Sequence, residues 1–485
     1  MLLQLPLIGL LPDWLTFALG VVDFVIRIAV LGIIPGNRRP TTAMAWLLAI
    51  FFVPTLGLVL FLMFGNFRFS GKRRDQQQEV NARVRAALAD SDEVDTTFDG
   101  PDWLHSAAEL NRGLGSLPMV NGNAVRLIPG YEDAIAEMAD AVRKAKRFVN
   151  AEFYIVSWDE VTEDFFTALT EAAERGVEVR FLYDHIGSLR IPGYRSFKRR
   201  LKDSKVRWRP MLPLLPVHGQ WRRVDLRNHR KILVVDGETA FTGSLNLIER
   251  AYHRRAKRKW VELMARIEGP AVTTLNVVFA TDWLSETDEM LESQLVAPEP
   301  AGETPAQVVP SGPAFANENN LRLFNTLIYS AQHRLSICSP YFVPDDSLLY
   351  AVTTAAQRGV AVELFVSEQG DQFLVHHAQQ SYYEALLTAG VAIYRYPKPF
   401  VLHAKHFTVD DDVAVLGSSN MDMRSFSLNM EVSLMLPGQH IVEQMRKVED
   451  MYREVSKRLD LREWRTRPLL SRYVDNVARL TATLQ

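Results

Sequence analysis

His229-Arg-Lys-Ile-Leu-Val-Val-Asp-Gly-Glu-Thr-Ala-Phe-Thr-Gly-Ser-Leu-Asn246 and His403-Ala-Lys-His-Phe-Thr-Val-Asp-Asp-Asp-Val-Ala-Val-Leu-Gly-Ser-Ser-Asn420 decide the fold. Set one under the other, 174 positions apart, they repeat a six-residue constellation at identical offsets, while most of the residues between differ. The first set is His229, Lys231, Asp236, Gly243, Ser244 and Asn246; the second is His403, Lys405, Asp410, Gly417, Ser418 and Asn420. One His-x-Lys pair would mean little in a chain with 11 His and 55 Lys plus Arg. Two complete copies in one register indicate duplicated supersecondary units that meet to build one site.

The residue types point to phosphate chemistry. Histidine attacks phosphorus or shuttles a proton near neutral pH. Lys, Ser and Asn supply donors for non-bridging oxygens, and glycine before serine allows close backbone approach. The duplication extends outward. Arg147-Phe-Val-Asn-Ala-Glu-Phe-Tyr154 lines up with Arg334-Leu-Ser-Ile-Cys-Ser-Pro-Tyr341, and Arg175-Gly-Val-Glu-Val-Arg-Phe-Leu182 with Arg358-Gly-Val-Ala-Val-Glu-Leu-Phe365. Each half reads as alternating strands and helices ending in a motif strand, which implies an α/β sheet covered by helices. Asp236 and Asp410 precede turns, a position that fixes a loop. His218, His253, His376, His377 and His406 have no twin at the repeat offset and read as core or surface histidines.

Composition sets limits. A net charge of -2 over 485 residues is neither nucleic-acid-like nor strongly acidic. Basic clusters do surround the first motif: Lys198 to Lys202, Arg222 to Arg230, and Arg254 to Lys259. Together they favour an anionic substrate or membrane surface. Cys338 is alone, so no intramolecular disulfide and no cysteine metal site is expected. Arg209 to Val217 holds three prolines among apolar residues and reads as either a lipid-guiding lip or a buried rigid connection. The tail Leu469 to Leu484 reads as a packing helix, with membrane contact as the lesser alternative.

Near the N-terminus, residues 14–34 and 41–64 are long apolar stretches. The second carries no charge, and the first holds Asp23 and Arg27, which pair at i,i+4. They are expected to form a transmembrane hairpin within residues 1–70, with Pro54 and Gly57 tolerated inside the second span. Arg68, Lys72, Arg73 and Arg74 follow it and no Lys or Arg precedes it, which places both ends in the cytoplasm; Arg38 and Arg39 in the turn oppose this. Residues 71–115 read as a polar connector with a helix near 76–88, 116–296 as the first repeat and 297–485 as the second.

The pattern H-x-K-x4-D-x6-G-S-x-N, complete in both copies, resembles the signature of the phospholipase D superfamily. Together with the hairpin, the stretches Arg39-Pro-Thr-Thr-Ala-Met-Ala-Trp46, Arg227-Asn-His-Arg-Lys231 and Ser381-Tyr-Tyr-Glu-Ala-Leu-Leu-Thr-Ala-Gly-Val391 resemble bacterial cardiolipin synthases. That resemblance implies duplicated phospholipase-D-like sheets covered by helices and related by a pseudo-twofold axis. It implies condensation of two phosphatidylglycerols into cardiolipin and glycerol without a metal or other cofactor, on anionic membrane lipids of the bacterial inner membrane, with no nucleic-acid partner. A homo-oligomer stays open. By the same resemblance His229 is nucleophile and His403 acid/base, with the reverse open by symmetry. Lys231, Lys405, Asn246 and Asn420 hold phosphate oxygens, assisted by Ser244 and Ser418. Asp236 and Asp410 belong to the catalytic signature, and Glu262 and Glu431, beyond the two motifs, orient the histidine rings. The competing functions are hydrolysis by the same site, as a phospholipase or nuclease, and a catalytically dead membrane scaffold.

Overall fold

The computed structural model describes residues 12–36, 38, 40–65, 73, 75–80, 82–83, 97–115, 117–213, 225–252, 258–315 and 317–482. Its two compact units are Met1–Arg68 and Phe69–Gln485.

In the first unit, Asp13–Ile33 is a 21-residue apolar helix, long enough to cross a hydrocarbon core of about 30 Å. Arg27 Nε donates to Asp23 at 2.8 Å, one turn away, so the two charges neutralise each other on one face. The second stretch differs from expectation. It forms two helices, Pro40–Phe52 and Pro54–Phe64, broken at Val53. Pro54 lacks the N–H that would continue the ladder, and its ring excludes a helical residue before it. The halves fold back on each other. The Trp46 and Phe61 rings meet edge to face at 5.5 Å. Gly57 lies so close to Ala49 that a Cβ would come within 2.5 Å of its carbonyl oxygen. Arg38, before the first helix, donates to the carbonyl of Gly65, after the second, at 3.1 Å. The full span expected over 41–64 is therefore a helix–proline–helix hairpin about 20 Å deep. Among the described residues only Asp13–Ile33 has the length and apolarity of a membrane-crossing helix.

In the second unit the duplicated sheets join edge to edge, so that one sheet runs through both repeats. Its centre is the antiparallel pair Met119–Ile128 and Thr304–Ser311, the opening strands of the repeats. Outward from the first lie Met264–Glu268, Thr239–Gly243, Ile232–Val235, Phe148–Phe153, Glu178–Asp184 and Arg207–Met211. Outward from the second lie Asn429–Pro437, Val413–Gly417, His406–Val409, Arg334–Cys338, Ala361–Ser367 and Ala392–Tyr396. The order reads the same from the centre either way, so a pseudo-twofold axis passes between the opening strands. Strand residues alternate between faces: Leu233 packs with helices Tyr131–Lys144 and Glu163–Glu174, and Ile232 and Val234 with helices Ala271–Thr287 and Gln439–Val455. Asn319–Ser330 and Asp346–Gln357 repeat the first pair in the second half.

The described part of the connector is docked on this body. Arg73 forms a buried ion pair with Glu286, and Gln76 donates to Asp288 at 3.2 Å. Residues 75–80 are helical, and the expected helix end at 84–88 lies outside the described residues.

Candidate active site

Each motif histidine is held by a strand of the other repeat. Arg227-Asn228 runs parallel to Asn429-Met430, and the His229 N–H donates to the Met430 carbonyl at 2.9 Å. Phe400–Leu402 runs parallel to Lys259–Val261, and the His403 N–H donates to the Val261 carbonyl at 2.8 Å. That register sets the next residue of each partner strand beside a histidine, and the glutamates cross over. Glu431 meets His229 Nδ1 at 3.0 and 3.1 Å; Glu262 meets His403 Nδ1 at 2.8 and 2.9 Å. With Nδ1 engaged, Nε2 is left for reaction. Neither repeat has a complete site alone.

The rest of the signature supports this exchange. A Cβ on Gly243 would lie 2.3 Å from the Leu263 carbonyl oxygen, and one on Gly417 would lie 2.2 Å from that of Val432. Only glycine lets the motif strand approach the segment carrying the glutamate. Ser244 Oγ accepts from the Leu263 N–H at 2.9 Å, and Ser418 Oγ from the Val432 N–H at 3.0 Å. Ser418 also donates to Glu431 at 2.5 Å. Lys231 Nζ donates to the His229 carbonyl at 2.6 Å, and Lys405 donates likewise to that of His403. Asn246 and Asn420 are buried beside them; Asn246 Oδ1 accepts from the Ile155 N–H at 3.4 Å. The aspartates stand apart, at the far ends of strands Ile232–Val235 and His406–Val409. Asp236 accepts from the N–H groups of Lys146, Arg147 and Phe148 at 2.7 to 2.9 Å. Asp410 accepts from Gln332, His333 and Arg334 at 2.7 to 2.8 Å. Both aspartates have positive φ. They bind each motif strand to the start of its neighbour and are positioning residues.

Similar geometry carries unequal charge. Burial holds His229 well below its usual 6.5, and Lys231, Lys405 and His403 push the same way. Burial also holds His403 below its usual 6.5, though less far, because Glu262 opposes it. Burial drives Glu431 up to about 7 against the pull of Lys231. For Glu262 burial also acts upward, yet the charges on His403 and Lys405 overcome it and keep the carboxyl below the usual range. Burial brings Lys231 down to about 7 and Lys405 to about 8.

Several functional neighbours escape a reading of the motif alone. The Tyr154 ring meets His229 edge to face at 4.8 Å, and Tyr341 meets His403 at 6.5 Å. Both close the aligned stretches that begin at Arg147 and Arg334, so the repeat itself was their signal. Trp260 stacks on His403 at 5.9 Å, with no counterpart in the repeat to mark it. Tyr341 donates to Asp371 at 2.7 Å.

Other expectations resolve differently. Arg227 and Arg230, counted in a basic cluster, are buried and paired with Asp184 and Asp282. Arg200 in the Lys198 to Lys202 cluster pairs with Glu163. In the proline-rich stretch Met211 and Leu212 are buried, while 214–217 lie outside the described residues. So do His218, Arg222, Arg223, His253, Arg254, Arg255 and Lys257. His406 is buried, and His377 pairs with Asp475. Cys338 packs in its strand.

Known proteins share this architecture. Residues 138–283 and 324–451 match the family described as cardiolipin synthase, PLD-like domain, and residues 24–66 match the phospholipase D-nuclease N-terminal family. The chain is 32% identical to cardiolipin synthase A of Pectobacterium carotovorum over 465 residues, covering 92% of this chain and 93% of that one. It is 31% identical to cardiolipin synthase A of Proteus mirabilis, over 91% and 92% of the two chains. The phosphatidylserine synthase structure from Haemophilus influenzae shares the fold, with a TM-score of 0.60 at 14% identity, over 80% of this chain and all of that one. With the duplicated signature, the exchanged glutamates and relatives over nearly its whole length, the chain belongs to the cardiolipin synthases of the phospholipase D superfamily.

Proposed function

We propose that this enzyme transfers a phosphatidyl group between two phosphatidylglycerol molecules, releasing cardiolipin and glycerol, with His229 as nucleophile and His403 as acid and base. The observation that carries the role assignment is the unequal pair. His229, held well below 6.5, is neutral at physiological pH and free to attack. His403, facing an ionised Glu262, is the better placed to carry a proton. His229 Nε2 forms a bond to phosphorus as the bond to the first glycerol breaks, and His403 gives that oxygen its proton. The result is a phosphatidyl-histidine. A hydroxyl of the second phosphatidylglycerol then loses its proton to His403, attacks phosphorus and displaces His229. Lys231 and Lys405 steady the oxygens as charge builds, with Asn246 and Asn420 beside them. Water must stay out of the intermediate, or the same site yields phosphatidic acid.

The enzyme is proposed to work at the bacterial inner membrane with its catalytic unit on the cytoplasmic side. The fold-back of Pro40–Phe64 supports that orientation. It returns the chain to the side of Arg38, so Arg38 and the basic residues after the hairpin share one side, and the opposition between them disappears. This gives one crossing, by Asp13–Ile33, instead of the two of a multi-pass hairpin.

The test is a quenched single turnover on phosphatidylglycerol vesicles, read by mass spectrometry and product analysis. A phosphatidyl adduct on His229, with equal cardiolipin and glycerol, is expected. An adduct on His403 reverses the roles, and phosphatidic acid as main product overturns the transferase reading.

A further inference from the structure

The helix Leu469–Arg479 divides its faces in an unusual way. Asp475 and Ala478 are buried against the catalytic unit. Leu469, Leu470, Tyr473, Val477 and Leu480 point outward, with Leu469 and Leu480 each 80% exposed and Tyr473 66%. At 100° per residue these five fall within a stripe of about 100°. Beside it, helix Phe373–Gln380 presents Phe373, 67% exposed, and Leu374. Among the described residues, seven of the thirteen large apolar side chains that the catalytic unit exposes belong to this pair of helices. Scattered apolar residues need no explanation, but a contiguous patch does.

The patch is rigid and close to the chemistry. Asp475 ties the helices together, taking a bond from Arg467 at 2.8 Å and pairing with His377 Nδ1 at 2.7 Å. Phe373 follows Asp371 and Gln372, both bonded to the Tyr341 hydroxyl, and the Tyr341 ring lies against His403. Exposed Arg472 and Arg479 border one edge of the apolar stripe, at about 60° and 80° from Leu469 on the side away from Leu470, with Arg472 also 3.9 Å from Glu384. A helix with an apolar face bordered by arginines lies in the headgroup boundary of an anionic bilayer.

We propose that Leu469–Arg479 with Phe373 and Leu374 is a second membrane contact, separate from the N-terminal unit, which seats the rim of the His403 half-site on an anionic lipid surface. The placement rests on surface chemistry and holds whichever phosphodiester reaction the site performs. Its occupant is lipid: the patch is apolar at its centre and cationic at its edge, as a bilayer boundary requires and a soluble protein partner does not.

The test uses the full chain. Cys338 is buried, so Val477→Cys can be labelled alone with an environment-sensitive fluorophore, with Glu171→Cys on an outer helix of the first repeat as control. In vesicles of phosphatidylethanolamine and phosphatidylglycerol, emission at 477 should shift to the blue and be quenched by lipids carrying a quencher in the upper acyl chain, with 171 unchanged. Water-like emission at 477 would overturn the proposal. So would a blue shift that acyl-chain quenchers leave untouched, because a second copy or residues 1–68 would then cover the patch. As a second arm, joint Leu469→Ser, Leu470→Ser and Leu480→Ser changes should lower turnover of bilayer phosphatidylglycerol by about tenfold. Turnover of a dispersed short-chain analogue should stay the same. Equal loss on both substrates would mean misfolding and is checked by the label; no loss on bilayers would refute the functional role.

Discussion

The two half-sites share six residues and one hydrogen-bonding plan, yet they differ in charge. At His403 the acid Glu262 stays ionised and supports a proton on the ring. At His229 burial and three neighbouring cationic groups drive the ring neutral, and Glu431 drifts up to about 7. Surroundings account for the difference. Burial of Glu431 outweighs the pull of Lys231 and the hydrogen bonds of Ser418, Ser425 and Asn429, whereas the charges on His403 and Lys405 outweigh the burial of Glu262. A duplicated site thus becomes an asymmetric one without loss of any motif residue, because ionisation in a buried site follows the summed field.

The largest effect comes from the histidines. His229→Ala should abolish the phosphatidyl-enzyme with any substrate. His403→Ala should stop turnover of phosphatidylglycerol but still allow adduct formation from a substrate whose leaving group needs no proton. Adduct in both variants, or in neither, measured by intact-protein mass spectrometry, would remove the functional difference between the half-sites.

The glutamates sharpen the comparison. Glu262→Gln removes the charge that holds the His403 proton and should cost about 10²-fold in kcat. Glu431→Gln replaces a carboxyl that, raised to about 7, already carries only part of its charge near neutral pH, and should stay within about tenfold of wild type. Steady-state rates on mixed vesicles decide it; equal losses would show that both glutamates act as charges.

The sequence made the duplication legible because six offsets repeat, and the alternation of strands and helices followed from hydrophobic period. It did not show which histidine each glutamate serves. Glu262 stands 16 residues past Asn246, and Glu431 stands 11 past Asn420. The partnership is made by parallel bridges between repeats, which no spacing within one repeat encodes. The fold-back at Val53 was hidden for a different reason. An uncharged run of 24 residues satisfies a spanning pattern whether it runs straight or doubles over, and Pro54 alone carried the signal. Ser244 and Ser418 looked like phosphate donors because hydroxyls suit phosphate, and only the structure shows them gripping the glutamate strands.

The pH profile comes next in size. His229 must be neutral and its pKa lies well below 6.5, so the acid limb of kcat/KM should fall below that value. Lys231 and Lys405, lowered to about 7 and about 8 from 10.5, lose their charge as pH rises. Because a lowered lysine pKa brings deprotonation earlier, and His403, also lowered, must hold the proton it donates, the alkaline limb should begin no higher than neutrality, with up to about tenfold loss per unit for each proton. An alkaline limb appearing only near pH 10 would mean that the lysines keep ordinary pKa values.

The smallest effect on catalysis belongs to the aspartates, where the two halves should behave alike. Asp236 and Asp410 each accept three backbone N–H bonds at the far end of a motif strand. Asparagine keeps one acceptor oxygen and turns an amide toward donors. Each substitution therefore breaks charge-assisted bonds worth about 1.5–3 kcal/mol. Asp236→Asn and Asp410→Asn should lower unfolding stability by similar amounts, read by denaturant titration, while kcat of the folded fraction stays within about twofold. If kcat instead collapsed in folded Asp236→Asn alone, that aspartate would act on the reacting phosphate through His229, and the asymmetry of the site would extend to residues that the geometry treats as equivalent.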